Sequence, residues 1–229
     1  MTADDLTAAL SEVTDPKTKE CLGSMRSYIA DRGKGSVPDS GREFVFDYIA
    51  YWLPRHAGSS AKGKQQGPQP EPNEVLQSLE QLAVLMARNG RCFDKAEWLA
   101  AMAELRITLP RAIELTNLLT EEVCTRGGPF EFQEFLTTFE EGGRAEYDFD
   151  IAGEEKVIEG HFRITSADGP LVAAVELVSE RLIDPIVFPE SAAEFVEPGQ
   201  IATLEIMRRG DRWIITDCDV VFPPGTPVV

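Results

Sequence analysis

Between Val157 and Phe222 apolar side chains return at every second position over several short runs. A backbone with that period exposes alternate residues to opposite faces, so each run reads as a strand with a core side and a wet side. In Val157–Ile164 the residues Ile158, Phe162 and Ile164 alternate with Glu159, His161 and Arg163. Asp168-Gly169-Pro170 is turn chemistry. Leu171–Val178 is apolar at nearly every position, which predicts deeper burial. Ile183–Phe188 contains Pro185, which lacks the ladder donor and so calls for an edge or a bulge. Pro189–Val196 is rich in Ala and Glu and predicts one or two helical turns. Ile201–Arg208 and Arg212–Phe222 flank Arg209-Gly210-Asp211, a hairpin loop with glycine where positive φ is needed. Alternation in the last run places Ile214, Thr216, Cys218, Val220 and Phe222 on one face. Trp213, Ile215, Asp217 and Asp219 fall on the other.

Three strands, a short helix and two strands is the order of a small antiparallel β-barrel, OB-like or SH3-like. The preceding sequence has helical period, so the fold class is α+β, an N-terminal all-α region followed by a barrel. Asp4 and Asp5 can cap a first helix whose stripe is Leu6, Ala9, Leu10 and Val13. Asp15-Pro16 starts a second. Ser40 and Glu43 have capping-box spacing and open a helix that carries Phe44, Tyr48, Tyr51 and Trp52 around much of its circumference. Such a helix is either buried on two sides or partly a partner surface, and Tyr48, Tyr51 and Trp52 are its candidate contacts. Residues 58–73 contain no large apolar side chain and many Gly and Pro, the composition of a linker. A further helix carries Val75, Leu79, Leu82 and Met86. Asp94 with Glu97, and Phe93 with Trp98, then make a capping box and a staple. Leu109-Pro110 predicts a new helix start, giving a helix-turn-helix-like pair over 94–106 and 109–125. A last helix is expected over Phe130–Glu140, and Gly142-Gly143 precedes the barrel. The domain reading is therefore 1–57 helical, 58–73 linker, 74–143 helical and 144–229 barrel.

Charge narrows the functional classes. The formal net charge is −17, the wrong sign for a phosphate backbone, so nucleic-acid binding is disfavoured. No apolar run is long enough to cross a bilayer. The acidic start Met1-Thr2-Ala3-Asp4-Asp5 is unlike a signal peptide. Cys21, Cys92, Cys124 and Cys218 are far apart and read as free cytosolic thiols. Asp217 with Asp219, and Asp148 with Asp150, are two-apart carboxylate pairs of the kind that could hold a divalent cation. No nucleophile or histidine stands in a catalytic context beside them. The favoured reading is a non-enzymatic cytosolic protein-interaction or adaptor protein that needs no cofactor, with a partner protein of basic surface as its sharper form. The contacting carboxylates would be Glu140, Glu141, Glu146, Asp148, Asp150, Glu154 and Glu155. The alternatives are a nucleic-acid-associated regulator using the helix pair and the barrel, and a metal-assisted enzyme.

The linker composition predicts that limited proteolysis with trypsin cuts first at Lys62 or Lys64. Survival of that stretch for as long as the helices would contradict the linker assignment.

Overall fold

The computed structural model describes residues 2–32, 38, 40–57, 72–90, 94–121, 123 and 157–228. The segment 58–71, the expected helix at 130–140 and the acidic stretch 140–155 lie outside them. The chain forms two compact units, Met1–Pro110 with Gly225–Val229, and Arg111–Pro224.

In the first unit, α1 (Ala3–Glu12) starts at Thr2, whose hydroxyl accepts from Asp5 N–H while the Asp5 carboxylate accepts from Thr2 N–H. Asp15 caps α2 (Pro16–Cys21) and proline occupies its first turn. α3 (Met25–Arg32) follows after a short turn. α4 (Gly41–Val45) continues into a π-helix (Phe46–Trp52) and then α5 (Leu53–Ala57). Ser40 caps α4, its hydroxyl accepting the Glu43 N–H at 3.3 Å as the capping spacing predicts. The Ser40 hydroxyl (2.6 Å) and Gly41 N–H (3.1 Å) also donate to the Glu97 carboxylate. Gly41 is required there, because a Cβ would lie 2.2 Å from the Trp98 ring. α6 (Pro72–Arg88) buries Val75, Leu79, Leu82 and Met86, and begins inside the stretch expected to be linker.

α7 (Lys95–Thr120) corrects the helix-pair expectation. It is one helix with Pro110 inside it. A proline there removes a backbone bond and costs about 3 kcal/mol. Leu105, Leu109, Ala112 and Leu115 are all buried, and a continuous buried stripe offsets that cost. The stretch is therefore not a helix-turn-helix. The helix also crosses the unit boundary. Ala112, Leu115 and Leu119 belong to the core of the strand unit, so that unit takes in residues from well before position 144.

The strands are β1 (Val157–Asp168), β2 (Leu171–Glu176), β3 (Leu182–Val187), β4 (Ile201–Arg209) and β5 (Arg212–Phe222), with a 3-10 turn at Glu190–Phe195 before β4. They pair in the order β1-β2-β3-β5-β4, and β4 pairs with β1 as well as β5, so the pairings close on themselves. The sheet is mixed and not wholly antiparallel, because β3 and β5 are parallel. Five strands cannot alternate in direction all the way round a closed ring, so one pair must run the same way. Pro185 sits at a bulge, where Asp184 and Pro185 together oppose Ala173.

The face assignment in β5 is corrected too. Trp213 and Ile215 point into the core, but so do Cys218 and Val221. Register shifts against β4 insert an extra residue twice, and each insertion changes which side faces inward. Period-two counting across Asp217 and Asp219 fails for the same reason.

Helix α7 supports this sheet in two ways. Its apolar side chains enter the core, and the Thr116 hydroxyl accepts the Val221 N–H at 2.9 Å. Leu115→Ala should therefore cost about 3 kcal/mol through the cavity it leaves. Urea unfolding followed by fluorescence of Trp213 and the other tryptophans checks this. A cost below about 1 kcal/mol would place Leu115 outside the core.

Candidate functional site

Closure gives every strand an inner and an outer face. On β2 the burial alternates: Val172, Ala174 and Glu176 are buried, while Leu171 is exposed and Ala173 and Val175 are half-buried. The apolar run that predicted deeper burial is thus apolar on its outer side as well. Directly opposed residues share a face. Arg163, Val175 and Leu182 are opposed across β1, β2 and β3, and Asp168, Leu171 and Val187 form a second such row. The outer side of the β2–β3 hairpin therefore presents Leu171, Ala173, Val175, Leu182 and Val187. Val178, 88% exposed, stands in the connecting turn. Three of the six exposed large apolar side chains among the described residues, Leu171, Val178 and Leu182, fall in this one hairpin.

A buried carboxylate shapes that turn. Glu176 is 6% exposed and accepts from Val178 N–H (3.0 Å), Ser179 N–H (2.6 Å) and the Ser179 hydroxyl (2.5 Å). Burial alone would raise its pKa. The Ser179 hydroxyl and the two backbone donors outweigh burial and hold the carboxyl below the usual carboxylate range. Gly160 leaves room for it, since a Cβ there would approach a Glu176 oxygen to 3.1 Å.

The basic residues between 157 and 228 are Arg163, Arg181, Arg208, Arg209 and Arg212, with no lysine. Arg163 is in the row with Val175 and Leu182. Arg181 precedes Leu182, and its guanidinium lies 5.8 Å from the centre of the Trp213 ring. Arg208 is opposed to Trp213, and Arg209 to Arg212. They are joined by the two-residue turn Gly210-Asp211, in which Gly210 has φ of +61°. Sequence reading missed the placing of Arg181 and Arg208 by Trp213, because the fold brings together positions that are far apart along the chain. Asp211, 3.9 Å from Arg212, and Glu180 are interleaved carboxylates.

The residues singled out from the sequence lie elsewhere. Tyr48 is fully buried and hydrogen-bonded to Ser24 at 2.8 Å. Trp52 is 6% exposed and donates to Asp31 at 3.1 Å. Tyr51 is half-buried beneath the Arg55 guanidinium. Tyr48 and Trp52 are thus core residues and not a partner surface, because Tyr28 and Phe44 pack against their helix. In the same core the Tyr28 hydroxyl donates to Asp47 at 2.7 Å, and Arg32 pairs with Asp47. Burial, followed by the Asp47 carboxylate, raises the Tyr28 pKa far above its usual value. That network ties α3 to the π-helix. Glu140, Glu141, Glu146, Asp148, Asp150, Glu154 and Glu155 lie outside the described residues.

Other chemistry is modest. A cleft of about 490 Å³ lies along α1, α2 and α6. Within it Asp15 caps Thr18 N–H at 2.7 Å, and the Thr18 hydroxyl donates to Gln81 at 2.7 Å. His161 shares a 2.9 Å hydrogen bond with Thr203. Among the described residues no three of His, Cys, Asp and Glu are placed to hold a metal ion, and no helix is long and apolar enough to cross a membrane. Cys21 and Cys218 are buried and in no disulfide. No protein-family model matches the chain, and neither a curated protein nor a solved structure matches it.

Glu176→Ala should destabilise the protein by about 1–3 kcal/mol, because the donors of the turn lose their acceptor. The sign with pH follows from the lowered pKa. The wild type's advantage over the variant is complete above the usual carboxylate range and disappears as pH falls through the folded-state value. Paired urea titrations at neutral and acidic pH measure it. An advantage that grows on acidification would contradict the assignment.

Proposed function

We propose that this is a non-enzymatic interaction protein in which an OB-like barrel presents the outer face of β2–β3 to a partner protein. The observation that carries the reading is the apolar outer side of that hairpin. Grouped exposed apolar residues with a polar rim are characteristic of protein contact sites. The strand order, the parallel β3–β5 pair and the short helical turn before β4 favour an OB-like over an SH3-like arrangement. OB barrels commonly use the face of their second and third strands for ligands, an argument by fold analogy. Strand-borne aromatics stack bases in the single-strand binders of that class. The outward residues on this hairpin are aliphatic, which favours a protein over a nucleic acid.

The test is retention of a partner from host extract on the immobilised full-length protein, with and without nuclease. Wild type should retain a protein that survives nuclease treatment. Val175→Glu and Leu182→Glu, which change outer-face residues, should lose it while unfolding at the same temperature as wild type. Retention that is unchanged in both variants, or that vanishes with nuclease, would refute the reading.

A further inference from the structure

We propose that residues 225–228 are a strap seated in a peptide site of the helical unit, and that Arg42, Phe46 and Glu104 build the end of that site which reads glycine. The site takes a short uncharged segment of glycine, threonine and proline, and the chain's own copy of that segment keeps it closed. It is a different surface from the β2–β3 face and stands independently of it.

β5 ends at Phe222, and Pro223-Pro224 follows, where neither residue has a backbone donor for another ladder bond. Pro224 packs at Gly199, where a Cβ would lie 3.2 Å from the Pro224 Cβ. From Gly225 onward the chain belongs to the helical unit and not to the strand unit. Gly225 turns it there, with φ of +82°. A Cβ on Gly225 would lie 3.0 Å from Arg42 Nη2, 3.7 Å from the Phe46 ring and 4.0 Å from Glu104 Oε1. Those three side chains hold one another. Arg42 makes two hydrogen bonds to the Glu104 carboxylate, and its guanidinium carbon lies 4.3 Å from the centre of the buried Phe46 ring. A side chain at 225 would need a left-handed backbone and would crowd an arginine already fixed on two sides, so the site selects glycine. Thr226 is 5% exposed. The proline after it biases its backbone to the extended region. A segment preorganised in this way loses little freedom on seating. Its tether holds it at an effective concentration roughly in the millimolar range. A free copy of the same segment therefore competes poorly until the seated one is weakened.

The experiment is a chemical-shift titration of the isotope-labelled whole chain with a free peptide of residues 223–229. Wild type should show no saturable change at the amides of Arg42, Phe46 and Glu104, because its own segment fills the site. In Gly225→Ala the left-handed backbone should weaken seating of the strap by about tenfold. The free peptide should then produce saturable changes at those same amides. The chain shortened to Pro224 is the second variant. It has no segment to displace and should bind the peptide at least as tightly as Gly225→Ala. A peptide with alanine in place of the glycine should bind both variants about tenfold more weakly. Saturation of wild type at the same midpoint as the variants, binding by neither variant, or equal binding of the glycine and alanine peptides would each overturn the proposal. So would saturable changes confined to the strand unit.

Discussion

Closure of the five-stranded sheet is the constraint on which the rest of the second unit depends. Because β4 pairs with β1 on one side and β5 on the other, each strand has one face turned inward and one turned out. The interior holds Phe162, Val172, Ile183, Ile186 and Trp213. Residues of opposite phase on β2 and β3 have no place in that core. Among the described residues, Leu171, Val175 and Leu182 lie outside that core. Exposed apolar side chains gathered on one hairpin are the feature on which the proposed protein-contact role rests.

The supports of that face are themselves polar and buried. Glu176 holds the turn that carries Val178 and Arg181 by accepting three hydrogen bonds inside the sheet's end. On another side, α7 fills the core with Leu115 and Leu119 and takes up the Val221 N–H through Thr116. Those contacts hold the strands from their inner side and end. The face is therefore built on rigid elements, the condition under which a few side chains can act together as a contact site.

Much of this fold was legible in the sequence, and the failures have definite causes. Period-two alternation located all five strands, and Pro185 located its bulge, because both follow from local backbone chemistry. Bulges in β5 were not legible, since one inserted residue reverses the face assignment and leaves no compositional mark. Pro110 misled for the opposite reason. It has a strong local meaning, but the buried stripe on α7 outweighed it. Leu171–Val178 was read as more deeply buried because periodicity cannot distinguish a strand covered on both sides from one with an apolar outer face. The placing of Arg181 and Arg208 by Trp213 was invisible, because these positions are far apart along the chain and meet only in the folded sheet. The aromatic helix was correctly seen as unusual, but Tyr48 and Trp52 are enclosed by Tyr28 and Phe44.

The most direct test of the account is site-specific photocrosslinking in the native host, with a photoreactive residue placed at Val175 and, as a control on another strand's outer surface, at Asp219. The account predicts a discrete protein adduct from position 175 and none from position 219. Equal adducts from both positions, or none from 175 while the protein still retains a partner, would contradict it.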